Sequence, residues 1–113
     1  MKLPHPLPDD LVELIARRFR VLGEPMRIRL LDQLRDGEAT VGELSEALDA
    51  SQQNVSKHLA VLAEVGILGR RKEGTFVYYR IVDEGVFALC EQVCGSVQQQ
   101  ARALNELVAA VGQ

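Results

Sequence analysis

Apolar positions along this chain follow helical spacing, switch once to strand-like alternation, and then return to helical spacing. Leu11, Leu14, Ile15, Phe19 and Leu22 recur at helical intervals, with Arg18 on the same side. That spacing predicts a first helix over 9–22 with one mostly apolar face, capped by Asp9 or Asp10 and closed by Gly23. Pro25 suits the first turn of a second helix, where its missing N–H costs nothing. This helix carries Ile28, Leu30, Leu31 and Leu34, and Asp36-Gly37 ends it. Thr40 opens T-V-G-E, a capping-box pattern with Glu43 three residues on. A short third helix follows, to about Leu48, with Val41, Leu44 and Leu48 inward. Asp49-Ala50 make a turn, and Ser51 is a good N-cap for a fourth helix. Val55, Leu59 and Leu62 form its inward stripe, and Gly66 stops it.

The period then changes. Leu68 to Lys72 and Phe76 to Val82 read as strands joined by Glu73-Gly74-Thr75, a hairpin signal. Alternation sets Phe76, Tyr78 and Arg80 on one face and Val77, Tyr79 and Ile81 on the other. It also sends Arg70 and Lys72 to one side and Arg71 to the opposite one. Asp83 can cap a fifth helix over 84–111. Its apolar residues Phe87, Cys90, Cys94, Val97, Ala101, Leu104, Val108 and Val111 step alternately by three and four, a heptad seam. Gly95 within it costs about 1 kcal/mol relative to Ala and marks a place to bend. Pro4, Pro6 and Pro8 are expected to make 1–8 an extended or loose, flexible N-terminal arm.

The fold class that follows is mainly α with a small β-hairpin, in the order α-α-α-α-β-β-α. This is the plan of a winged helix-turn-helix, with the helix-turn-helix over 41–66 and the wing over 67–82. One domain of 113 residues is expected. So short a chain cannot easily cover the apolar faces of its first and last helices while also building a winged core. A homodimer through the helices at 9–22 and 84–111 is therefore expected.

Composition narrows the class. Hydrophobic content of 47% and charged content of 26% suit an ordered soluble protein, and 4% aromatics without Trp make the core aliphatic. No apolar run approaches the roughly 18 residues that span a bilayer. MKLPHPLPDD has no signal-peptide core, so the expected location is cytoplasmic, with no membrane partner. Two Cys make no disulfide framework. The net charge of −3 argues at first against a nucleic-acid partner, but its distribution reverses that. Residues 50–82 hold five bases and two acids, a local +3, while the remainder is −6. Phosphate contacts act over short range in salt, so the local face decides.

Ser51, Gln52, Gln53, Asn54, Ser56 and Lys57 occupy the leading turns of the fourth helix. Amides and hydroxyls pair with base edges in the major groove, and Lys57 with a phosphate or guanine. The plain alternative is a solvated helix face; its place between a preceding helix and a basic hairpin favours DNA. His58, between Val55 and Leu62, turns partly inward as a packed, hydrogen-bonded side chain. Arg70, Arg71 and Lys72 on the first wing strand suit phosphates or the neighbouring minor groove, against plain surface charge or protection of a strand edge.

LGEPMRIRLL, VGELSEAL, SQQNVSKHLAVL and EGTFVYYRI together resemble the core of the ArsR/SmtB family of bacterial winged-helix repressors, over Leu22 to Ile81. The resemblance implies a dimer that binds an operator, represses transcription and is released by a metal or oxidant at a sensor site. It also implies a phosphate contact for His58, which matches a histidine often found there. The family's helix-three metal site needs a CxC pair, where this chain has Thr40 and Gly42. Its last-helix zinc site needs Asp and several His, and no His follows His58. Neither site carries over.

Cys90 and Cys94, at i and i+4, share a helix face, and a dimer can bring such thiols together. Thiolates bind soft metals or arsenite, and neighbouring thiols oxidise. Cysteine on an apolar seam equally behaves as a small hydrophobe, and both readings stay open. No cofactor is required; a soft metal, arsenite or a thiol oxidant is the candidate effector. No phosphate-binding loop or nucleophile–base pair points to catalysis. The expected partners are an inverted-repeat duplex and a second copy of the chain. A winged-helix module for protein contact without DNA binding is the competing class, and a DNA-binding repressor without thiol sensing is the variant within the first.

Overall fold

The elements follow the expected order with two additions, a 3-10 turn that takes Leu34 out of the second helix and a two-residue strand. They are α1 (Asp9–Leu22), α2 (Pro25–Gln33), a 3-10 turn (Leu34–Asp36), β1 (Ala39–Thr40), α3 (Val41–Leu48), α4 (Gln52–Glu64), β2 (Leu68–Glu73), β3 (Phe76–Ile81) and α5 (Glu84–Val111). A computed structural model describes residues 2–112. The chain falls into two compact units, one ending at Val82 and one beginning at Asp83.

In the first unit, helix ends follow local chemistry. Pro8 is the N-cap of α1 and offers no side-chain acceptor. The expected Asp cap gives way to Asp9 and Asp10 inside the first turn, where carboxylates still favour the free N–H end. Glu24 caps α2 instead, its Oε2 accepting from the Arg27 N–H at 3.0 Å. Thr40 and Glu43 close a reciprocal capping box on α3. Asp49 then takes the left-handed conformation (φ 49°, ψ 50°), which Asp tolerates better than most residues. The turn is closed by Ala50 N–H on Ser45 O at 3.0 Å and by the Ser45 hydroxyl donating to Ala50 O. Ser51 caps α4 through Asn54 N–H at 3.1 Å. Gly66, at φ +84°, turns the chain out of α4. There Arg18 Nη2 donates to Val65 O at 2.7 Å, tying α1 to the end of α4.

The core is aliphatic. Leu30, Leu44, Val55, Leu59, Leu62 and Ile67 are fully or almost fully buried, each stabilising the fold by about 1.5–3 kcal/mol. The sheet has three antiparallel strands in the order β1-β3-β2, where the sequence predicts a hairpin alone. β1 has only two residues, too few to show alternation, and it is recruited by pairing Ala39 with Tyr79 and Thr40 with Tyr78. The hairpin loop is tighter than expected. Glu73 pairs with Phe76, leaving Gly74-Thr75 as the connection, with Gly74 at φ +61°. α1 leaves much of its apolar face open, with Leu14 and Phe19 both exposed.

The second unit is the single helix α5, 28 residues long, with the Asp83 side chain accepting from Gly85 N–H at 3.0 Å. Its seam residues Val97, Leu104, Val108 and Val111 are all exposed. Among the described residues no helix is long and apolar enough to cross a membrane.

Candidate nucleic-acid interface

α4 is two-sided. Val55, Leu59 and Leu62 are fully buried along its back. Gln52, Gln53, Ser56 and Lys57 are exposed, and Asn54 is half-buried. Helical geometry puts Gln53, Ser56 and Lys57 opposite that buried stripe. Among the described residues none of these four exposed side chains is hydrogen-bonded or ion-paired to protein. Ser51 differs, because its oxygen is occupied by the Asn54 N–H and its first task is to start the helix. The front therefore presents amides, a hydroxyl and an ammonium with no competing internal partner.

His58 stands apart from that front. It is buried, and its Nδ1 accepts from Arg27 Nε at 3.1 Å. Arg27 Nη1 also donates to Val21 O at 3.1 Å, reaching the last turn of α1. Glu24 Oε2 lies 3.7 Å from the same His58 nitrogen, beyond hydrogen-bond range but close enough to couple electrostatically. Partial desolvation raises the Glu24 carboxyl pKa. The Arg27 N–H, the charge that His58 carries when protonated, the Met26 N–H and the Arg27 charge outweigh it and hold the pKa below the usual value. Sequence reading finds neither Glu24 nor Arg27. The only signal is a Glu three residues before an Arg around a proline, which is weak as a cap pattern.

The three wing bases are not equivalent. Arg71 is held from both sides: Nη2 lies 2.5 Å from Glu38 Oε1, Nε 3.2 Å from Glu38 Oε2 and Nη1 2.6 Å from Glu73 Oε2. Its guanidinium also stacks over Tyr78, 4.6 Å from the ring centroid. Hydrogen bonding to Arg71 pulls the Glu38 carboxyl pKa down against desolvation, and the same bonds push the Arg71 pKa up. Arg70 and Lys72 lie on the other face, opposite Tyr79 and Val77 in the ladder. Both are exposed and, among the described residues, make no ion pair. The free positive charge of this strand is therefore Arg70 and Lys72, with Lys57 on α4.

Cys90 and Cys94 are both free and exposed along α5. Partial burial pushes the Cys90 thiol pKa up. Among the described residues no group of three or more His, Cys, Asp and Glu is placed to hold a metal ion.

With this geometry in view, the relatives are informative. A family described as a helix-turn-helix domain matches residues 22–71. The HTH-type transcriptional regulator KmtR of Mycobacterium tuberculosis is 40% identical over 83 residues, 74% of this chain but 64% of that protein. The chain thus spans less than two thirds of that relative's length. The Biofilm growth-associated repressor of Agrobacterium fabrum is 33% identical over 90 residues, 80% of this chain and 77% of that protein. Among solved structures, the homodimeric winged helix-turn-helix DNA-binding domain Mb0332 of Mycobacterium bovis, a possible ArsR-family regulator, superposes with a TM-score of 0.74. It is 29% identical and covers 88% of this chain and 92% of that one. Motif order, three-stranded winged fold and these likenesses agree: the chain belongs to the ArsR/SmtB family of winged helix-turn-helix transcriptional regulators.

Proposed function

We propose that the chain acts in the cytoplasm as a dimeric, sequence-specific DNA-binding repressor. α4 enters the major groove, and Arg70 and Lys72 approach the flanking backbone. The observation that carries this reading is the α4 front, where Gln52, Gln53, Ser56 and Lys57 are exposed and, among the described residues, unpartnered, on a helix whose back is fully buried. A rigid helix with hydrogen-bonding side chains on its leading turns fits a groove that offers a distinct donor and acceptor pattern for each base pair. The alternative, a protein-contact module, calls for an apolar centre on that face, and the face has none. The relatives, a regulator, a repressor and a homodimeric DNA-binding domain, support the same choice.

Two-fold pairing of this head predicts an inverted-repeat operator with half-sites about 10 base pairs apart. Selecting bound duplexes from a random pool tests it. A palindromic consensus is the expected result. Failure to retain any duplex, even at low salt, would favour the protein-contact module.

We infer that Cys90 and Cys94 pack in the seam between two α5 helices. Their place on the apolar three-and-four seam of α5 supports this, and partial burial pushes the Cys90 thiol pKa up, away from the thiolate that binds soft metals or reacts with oxidants. The Cys90→Ser/Cys94→Ser variant should then release operator under arsenite, zinc or oxidant just as wild type does. Selective loss of release in that variant would assign the pair a sensing role.

A further inference from the structure

We propose that Arg27 is a positioning residue for DNA binding: it fixes the tautomer of His58 so that Nε2–H is presented to a phosphate oxygen. The inference rests on α4 being the DNA-reading helix. Arginine has five donors and no acceptor, so a guanidinium N–H directed at Nδ1 requires Nδ1 to carry a lone pair. Arg27 Nε makes that contact at 3.1 Å. A neutral imidazole then carries its one proton on Nε2. Among the described residues Nε2 has no protein partner, and no buried side-chain nitrogen or oxygen lacks one. Nε2 therefore sits on the part of the ring that still reaches solvent, although the side chain as a whole is only 9% exposed.

Placement supplies the ligand. His58 follows Asn54 by one helical turn and so lies on the flank of the polar front, between it and the buried stripe. When the front of a helix faces base edges, its flanks face the groove walls, where the phosphates are. A single N–H donor on a side chain locked by packing suits a phosphate oxygen, and the contact fixes register without reading sequence.

The same guanidinium ties three elements. Nε reaches His58 on α4, Nη1 donates to Val21 O in the last turn of α1, and the Arg27 backbone lies in the first turn of α2, capped by Glu24. Helix C-terminal carbonyls lack intrahelical partners, so the Val21 contact fills a vacancy. Lysine cannot replace this arrangement, because one ammonium cannot address both acceptors with the geometry of a planar fork.

The test uses the full chain labelled with 15N-histidine, with the His58 signals assigned by comparison with His58→Gln. At neutral pH, wild type should carry its proton on Nε2 with an acceptor-type Nδ1. Arg27→Lys should show mixed tautomers and bind the selected operator about 10-fold or more weakly, the weight of a hydrogen bond to a charged group. His58→Gln offers an amide N–H near the ε position without needing Arg27. It should keep more affinity than His58→Ala, and adding Arg27→Lys to it should cost little further affinity. This last comparison keeps the test decisive even where Arg27→Lys also lowers the melting temperature. A wild-type proton on Nδ1, an Arg27→Lys variant with unchanged tautomer and affinity, or full additivity with His58→Gln would each overturn the proposal. Wild type that binds no duplex would sink both this role and the reading of α4. Tight wild-type binding with unaffected variants would sink this role alone.

Discussion

α4 and α5 each leave a long face uncovered in the single chain, but the two faces are chemically opposite. On α4 the open face holds Gln52, Gln53, Ser56 and Lys57, side chains that water already satisfies. On α5 it holds Val97, Leu104, Val108 and Val111, whose exposure costs about 25 cal/mol for each Å² left wet. The α5 face is unstable in water and demands an apolar partner, for which a second α5 is the simplest match. The α4 face tolerates water, so its partner must offer matching hydrogen bonds and charge. Equal exposure therefore points to two kinds of contact, and the difference is measurable by mutation.

The largest effect is expected on the polar face. Gln53→Ala with Lys57→Ala removes candidate base and phosphate contacts, each good base contact being worth about 1–3 kcal/mol. Specific duplex binding should fall about 100-fold or more in a gel shift, with an unchanged circular dichroism spectrum. Unchanged affinity would remove α4 from the DNA. Next comes the apolar face. Leu104→Glu places a charge on the seam, and sedimentation should show the dimer dissociating at concentrations where wild type stays paired. A variant as dimeric as wild type would break the contrast by placing the interface elsewhere. The smallest effect distinguishes residues within the wing. Arg70→Gln or Lys72→Gln should each reduce the slope of log affinity against log salt by about 0.9, the release of one phosphate-bound counterion. Arg71→Gln should leave that slope nearly unchanged, because Glu38 and Glu73 already occupy its guanidinium. A slope change for Arg71→Gln equal to that for Arg70→Gln would erase the distinction.

What could be read in advance depended on distance along the chain. The buried stripe of Val55, Leu59 and Leu62 was legible because period alone defines it. The Thr40–Glu43 box and the Ser51 and Asp83 caps were legible because each closes within three residues. Contacts that join distant segments left no trace in the pattern. His58 meets Arg27 across 31 positions, and Arg71 meets Glu38 across 33. The formal +3 of residues 50–82 thus counts Arg71 as free charge, although a carboxylate from outside that stretch helps hold it. β1 escaped notice because two residues carry no alternation and form a strand only when β3 lies beside them. The apolar face of α1 was visible in the spacing, and the shortness of the chain pointed to its being left open, as Leu14 and Phe19 are.

Asp49 has a consequence of a different kind. The path from α3 to α4 runs through Asp49, Ala50 and Ser51, and of these Asp49 is held with a positive φ. A β-branched side chain there would meet a steric penalty of about 1–2 kcal/mol, while glycine would loosen the joint. The heading of α4 thus depends on a residue outside its exposed polar front, so its orientation and its side-chain chemistry can be altered independently.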